Sequence, residues 1–203
     1  GDDGRVTLRP TAETLAQHTT RREAGEGART EFFTYRDRTP ETADGVRFTL
    51  QANVALGVDL ELARDNGTDG IGLYRCELLF LFDKGQPDEE ALTRHFARAV
   101  ELAKGSPITF RLLDADSTAK LEALGDAAKP ETNPALGLKS IRVLLRRPAL
   151  LRTLLRALLR AAAQGNVRVA VPFVSDASDV RRVKEAMFDE KQALRKEKVA
   201  HGD

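Results

Sequence analysis

The sequence predicts an α/β fold in which short apolar strands alternate with helices and pair in parallel. Three observations lead there. Apolar, strand-like runs recur at 46–54, 70–75, 108–114 and 167–174, each followed by residues at helical spacing. Gly67, Gly105 and Gly165 stand where the intervening helices would stop. Strands separated by helices are joined by right-handed crossovers, which set the strands parallel.

Taken in order, residues 1–45 are polar and rich in turn formers. Arg5–Pro10 reads as a short strand, and Ala12 to about Ala28 is compatible with helix despite Gly25 and Gly27. That stretch holds too little apolar surface to fold alone. It reads either as a linker helix packed on something else or as a disordered tail. Thr42–Gly45 is a turn, and Val46–Val54 alternates as the first strand. Gly57–Asn66 is a short helix closed by Gly67, and Gly70–Arg75 is the second strand. Pro87-Asp88-Glu89-Glu90 opens a helix that runs to Lys104 before Gly105. Ile108–Asp114 is the third strand, and Asn133-Pro134 starts a helix at Ala135. Pro148 starts another, with Leu150, Leu151, Leu154, Leu155, Leu158 and Leu159 at helical spacing. Val167–Val174 is the fourth strand, and a charged helix spans Asp176 to about Ala200.

Composition narrows the function classes. The 203 residues suffice for one good core. Charged residues make up 31%, and the net charge is only +1, without the basic excess of a nucleic-acid surface. A single cysteine, Cys76, rules out an internal disulfide and fits a reducing cytoplasm. No apolar run approaches the ~20 residues of a membrane span. Gly1–Gly4 and His201–Asp203 read as cut points rather than natural ends. His18, His95 and His201 lie in polar contexts and read as surface residues, and no metal cluster, nucleophilic triad or glycine-rich phosphate loop stands out.

The chemistry gathers at two strand ends. Gly70-Ile71-Gly72-Leu73-Tyr74-Arg75-Cys76-Glu77 and Pro107-Ile108-Thr109-Phe110-Arg111-Leu112-Leu113-Asp114 each close an apolar strand with an arginine. Guanidinium is always ionised and offers a rigid fork of donors that matches phosphate oxygens two at a time. Arg75 and Arg111 at the same end of a sheet would make a site for a doubly charged anion. The competing reading is that each pairs with a nearby carboxylate, such as Glu77 or Asp114.

Together with Glu131-Thr132-Asn133-Pro134-Ala135-Leu136-Gly137-Leu138-Lys139-Ser140-Ile141-Arg142, these two stretches form three ordered motifs at compatible spacing. They resemble the phosphoenolpyruvate (PEP)-binding barrel of Enzyme I, the PEP–protein phosphotransferase of bacterial sugar uptake, a barrel shared with pyruvate phosphate dikinase. The resemblance runs from about Arg5 to the end of the chain. It implies a (β/α)8 TIM-barrel type fold with only about the first four β/α units present, preceded by a helical linker. Residues 1–45 would be the linker and the end of the phosphohistidine-domain region, and 46–203 the first half of the barrel.

Active sites of such barrels sit at the carboxyl ends of the strands, so the resemblance makes Arg75 and Arg111 ligands of the PEP phosphate. Lys139, Asn53 and Glu77 become supporting candidates. Glu77 would hold Arg75, or else serve as an ordinary first-turn acid. Asn53 would lie near the site, or cap the turn to the next helix. Asn133 reads as a helix cap. Lys139 stands where the family usually has arginine, keeping the charge and losing the fork. Ala115–Lys120 departs from the family's glycine-containing segment. Cys76 replaces the usual threonine and reads as a small buried thiol.

In the whole family enzyme the resemblance implies phosphoryl transfer from PEP to a histidine and on to a phosphocarrier protein. It implies Mg2+ as cofactor, with ligands in the other half of the barrel. No catalytic or metal residue is assigned here, and the 203 residues are expected not to turn over alone. The rival reading is a degenerate or truncated relative acting as a regulatory or dimerisation module. Exposed sheet edges and the leucine-rich 150–159 helix predict a homo-oligomer. Neither a nucleic acid nor a membrane is expected as a partner.

Overall fold

The computed structural model describes residues 7–82, 88–114, 133 and 137–202. The chain divides into two compact units, Gly1–Phe48 and Thr49–Asp203.

In the first unit, α1 spans Ala12–Phe33, five residues beyond the expected end at Ala28. Leu15 and Phe33 are exposed on it. Thr7–Pro10 carries no strand, and Arg5 and Val6 lie outside the described residues. Past the helix, the predicted turn forms around Gly45 (φ +82°), with Thr42 N–H donating to the Val46 carbonyl at 2.9 Å. Glu41 and Arg47 form an antiparallel bridge across it. That bridge uses residues expected to begin the first strand.

In the second unit, β1 (Gln51–Val54), β2 (Gly70–Arg75), β3 (Ile108–Arg111) and β4 (Val167–Ala170) form one parallel sheet in sequence order. The first strand is therefore shorter than the predicted 46–54. Val46, Phe48 and Leu50 stay exposed, because the local bridge at Arg47 competes with sheet pairing. The fourth strand ends at Ala170 rather than Val174. Pro172 brings no N–H for a ladder, and Phe173 adopts φ +54°, outside the extended region.

The helices are α2 (Gly57–Asp65), α3 (Glu77–Phe82), α4 (Glu89–Leu102), α5 (Ile141–Arg146), α6 (Pro148–Ala161) and α7 (Ala177–Glu197), with a single 3-10 turn at Ala162–Gln164. Sequence chemistry sets their starts. Asp88 accepts from Ala91 N–H at 2.6 Å, Asp176 accepts from Ser178 N–H at 2.6 Å, and Pro148 occupies the first turn of α6. Gly67 and Gly105 follow α2 and α4 with φ of +71° and +86°, as expected of helix-stop glycines. The helix start expected at Ala135 falls among Pro134–Leu136, which lie outside the described residues, as does the Ala115–Lys120 loop; α5 begins at Ile141, after Ser140 takes φ +50°.

One face of the sheet carries the core. Tyr74, Phe96 and Phe110 stack with ring centroids 5.1 Å (Tyr74–Phe110) and 4.9 Å (Phe96–Phe110) apart, joining β2, β3 and α4. Leu154 and Leu155 of α6 are fully buried beside them in the same cluster. A rim of ion pairs ties α6 to its neighbours: Arg156 to Glu89 at 2.7 Å and Glu197 at 2.6 Å, and Arg160 to Glu89 at 2.9 Å.

Strand β2 contains a bulge. Ile71 pairs with Ile108 but Tyr74 with Phe110, so β2 spends three steps where β3 spends two. Ile71 and Tyr74 thereby share the core face, while Arg75 pairs with Arg111 on the other. That second face is open at Asn53, Arg75 and Arg168, all exposed.

His95 departs from the surface reading. It is half-buried on α4, with Nε2 2.7 Å from the Tyr74 hydroxyl. His201 is also partly buried and donates from Nδ1 to the Val199 carbonyl at 2.8 Å, whereas His18 is exposed. Desolvation holds His95 below the usual imidazole value. The unfolded chain therefore binds the extra proton first as pH falls below about 6.5, and stability present above that pH is lost towards the folded pKa. We expect the urea midpoint to drop between pH 7.5 and 5.5, and His95→Gln to drop less. An equal drop in the variant would remove His95 as the cause.

Candidate functional site

The open face ends in a cluster of charge at the carboxyl ends of β2 and β3. Arg75 and Arg111 are register partners on these adjacent strands, so their side chains leave the same face side by side. Their settings differ sharply. Arg75 is exposed and makes no ion pair among the described residues. Arg111 is only partly exposed and is held from two sides.

Glu77, the first residue of α3, accepts from Arg111 Nε at 2.9 Å and lies 2.6 Å from Nη2 through the same Oε1. Asp114 meets Nη1 at 3.0 Å through Oδ2. Its other oxygen accepts from the Ser140 hydroxyl. Glu77, Asp114 and Ser140 are 7%, 8% and 0% exposed, so these polar groups are satisfied inside the protein rather than by water.

The competing reading raised from the sequence thus holds for Arg111, which pairs with both carboxylates; Arg75 makes no such pair among the described residues. Glu77 holds Arg111 rather than Arg75, its neighbour in sequence. The reason is the turn after β2. Cys76 packs against the next strand, its thiol donating to the Arg111 carbonyl at 3.2 Å, and Glu77 is carried over β3 with it.

Cys76 is the small buried thiol expected, 2% exposed. Burial and then the adjacent Glu77 charge push its pKa up to about 12. A thiol so placed stays protonated at neutral pH and is not a nucleophile.

Two supporting candidates are placed as follows. Asn53 is exposed on β1, paired in register with Leu73. Lys139 sets Nζ 3.8 Å from the centre of the Phe173 ring, three residues past β4, a cation–π contact. Asn133 is exposed, with its neighbours outside the described residues.

Three residues were missed from the sequence. Ser140 fixes Asp114. Arg142 donates to the Ser175 hydroxyl from Nε at 3.2 Å and Nη2 at 3.0 Å. Asp59 accepts from Ala55 N–H at 3.0 Å and Leu56 N–H at 2.9 Å, shaping the turn after β1. Those two amides, with Arg75 nearby as a lesser influence, hold the Asp59 carboxyl below the usual range. The signal for Ser140 and Arg142 lay in the quoted Lys139-Ser140-Ile141-Arg142 stretch, but which side chain turns inward depends on Ser140 φ +50°.

Among the described residues the arrangement offers one guanidinium fixed by two carboxylates, one without an ion pair, and an ammonium over the Phe173 ring. Among the described residues no group of three acidic, histidine or cysteine side chains is placed to hold a metal ion, and no helix is long and apolar enough to cross a membrane.

Removing one partner of a buried ion pair strands the other. Glu77→Ala should lower stability by about 1–3 kcal/mol, the penalty for an unsatisfied buried group. Urea unfolding checks this; a loss within ~0.5 kcal/mol, the range of ordinary surface changes, would show that the pair contributes nothing.

Residues 30–203 match the family model described as PEP-utilising enzyme, PEP-binding domain. Over 203 residues the chain is 34% identical to a phosphoenolpyruvate-protein phosphotransferase of Bacillus sp. (strain S), covering all of this chain and 35% of that protein. It is 36% identical over 181 residues to the protein of that name from Cupriavidus necator, covering 89% of this chain and 31% of the relative. It is also 35% identical over 158 residues to multiphosphoryl transfer protein 2 of Escherichia coli (strain K12), covering 78% of this chain and 19% of the relative. The chain spans about a third of the length of the phosphotransferases it matches.

Proposed function

The chain belongs to the PEP-utilising enzymes, through their PEP-binding domain, and from that premise we propose that it supplies the phosphate-binding part of a phosphoenolpyruvate-protein phosphotransferase. The observation that carries the reading is the register pairing of Arg75 with Arg111 at the carboxyl ends of adjacent parallel strands. Four parallel strands in unbroken sequence order support half of a (β/α)8 barrel, since a doubly wound sheet reverses its strand order.

In this reading Arg111, aimed by Glu77 and Asp114, takes phosphate oxygens with its remaining donor directions. Arg75, without an ion pair among the described residues, supplies further positive charge beside it. Lys139 and Asn53 line the approach. The whole enzyme would move the phosphoryl group from PEP to a histidine and then to a phosphocarrier protein, by positioning and charge stabilisation.

Mg2+ belongs to the expectation for the whole enzyme. The described acids do not fit it, because Glu77 and Asp114 are committed to Arg111. No step is routed through it here. Cys76 is buried with its thiol on the Arg111 carbonyl, so in this reading it is not the proton donor to the enolate carbon. This stretch therefore binds and orients, and is expected not to turn over by itself. Strands β1 and β4 end the four-stranded order, and edges of that kind favour association with a second copy. A cytoplasmic location completes the proposal, consistent with a free buried cysteine.

A second reading rests on the ion pairs of Arg111. If Glu77 and Asp114 spend that guanidinium structurally, the domain is a regulatory or dimerisation module that has lost PEP. Calorimetric titration of the native gene product with PEP separates the two. Arg75→Ala and Arg111→Lys should each weaken binding roughly ten- to hundredfold, the worth of a hydrogen bond to a charged group. Wild-type affinity in both variants would sink the site assignment, and an absence of binding by the wild type would select the second reading.

A further inference from the structure

A second concentration of arginines lies outside the Arg75–Arg111 pair. A cavity of about 450 Å3 opens between α5 and the first turns of α7, lined by Gly137, Arg142, Leu145, Arg146, Asp179 and Arg182 among others. Neither Arg75 nor Arg111 lines it.

The hydrogen bonds of its arginines go to neutral oxygens. Arg142 gives Nε and Nη2 to the Ser175 hydroxyl and Nη1 to the Gly137 carbonyl at 2.7 Å, which fixes the guanidinium without a carboxylate partner among the described residues. Arg182 Nη2 reaches the Leu145 carbonyl at 3.4 Å. Arg146 makes no ion pair among the described residues. The carboxylate in the lining, Asp179, is turned onto the Ser175 amide at 2.8 Å. Three guanidiniums therefore face one cavity against a single carboxylate that already accepts elsewhere.

Like charges gathered without counter-charge raise the local potential and are relieved by an anion. The guanidinium fork selects the planar or tetrahedral oxyanions it can meet with paired donors. We propose that this cavity binds a small, multiply charged anion carrying phosphate or carboxylate groups, at a site separate from the Arg75–Arg111 pair. Arg142, partly buried and preset by Ser175 and Gly137, is the anchor; Arg146 and Arg182, both exposed, close on the ligand from α5 and α7.

The test is calorimetric titration of the native gene product with inorganic pyrophosphate and, separately, with citrate. Arg146→Ala/Arg182→Ala should bind the preferred probe at least about tenfold more weakly, since each lost contact is to a charged group. Arg75→Ala should change that affinity by less than about twofold, as expected of independent sites, and PEP binding by the double variant should match wild type. A preference for pyrophosphate or for citrate assigns the natural ligand to phosphates or to carboxylates. Both substituted arginines are exposed, and an unchanged circular dichroism spectrum verifies folding. The proposal is overturned if the double variant binds both probes as tightly as wild type, if neither probe binds the wild type at millimolar concentration, or if Arg75→Ala abolishes the binding.

Discussion

The Arg111 guanidinium, held between Glu77 and Asp114, is the contact on which the geometry of the strand ends depends. It joins three separate pieces of chain: the end of β3, the start of α3, and through Asp114 and Ser140 the approach to α5. Each carboxylate is nearly removed from water. Taking such charges out of solvent costs several kcal/mol per ion, recovered only when geometry and further hydrogen bonds are good. An ion pair of this kind is weak evidence for stability and better evidence for a fixed position. The guanidinium cannot swing away from the strand end without leaving two buried carboxylates unpaired.

The bulge in β2 is what places Arg75 beside it. Plain alternation along Gly70-Ile71-Gly72-Leu73-Tyr74-Arg75 would put Ile71 and Arg75 on one face. The structure puts Ile71 and Tyr74 on the core face and turns Arg75 to the open one. Glycine at position 72 suits the spot, since a Cβ there would come within 3.0 Å of Gln51 Cβ on the neighbouring strand. Gly70, at φ +153° with the Pro107 carbonyl 2.6 Å from where a Cβ would stand, starts the same strand under a similar constraint. The two glycines of the motif thus serve close strand packing, and the arginine that follows them is placed as a consequence.

How much of this was legible in the sequence varies by element. The strand–helix order, the caps at Asp88 and Asp176, the glycine stops and the leucine face of α6 were readable because each rests on local chemistry. So were the two strand-end arginines. The first strand was overextended, because alternation over Val46–Leu50 does not reveal that Arg47 bridges back to Glu41. From the sequence Glu77 reads as a holder of Arg75 or a first-turn acid, because sequence shows only distance along the chain; its contact with Arg111 on β3 is a tertiary fact. His95 looked like a surface residue among the charges of α4; its partner, Tyr74, lies on a strand 21 residues away. Phe173 gave no sign that it would take a left-handed conformation and set its ring under Lys139.

If the strand ends take a dianion, as proposed, the charges there set how tightly it would be held. Arg75, Arg111 and Lys139 supply the positive charge; Glu77 and Asp114, both close to Arg111, oppose it. Coulomb attraction scales with the net charge a ligand meets as well as with the contacts it makes. A phosphate brought to Arg111 also meets the field of two carboxylates, so Arg111 acts as a directing group more than as a source of attraction. Attraction falls to Arg75, exposed and screened by solvent, and to Lys139, whose charge is shared with the Phe173 ring. Under the proposed reading this surface would orient a phosphate more strongly than it concentrates one. Specificity for a dianion would then come from completing the positive charge around an Arg111 that is already aimed, an addition made from a position where no side chain has to reorganise.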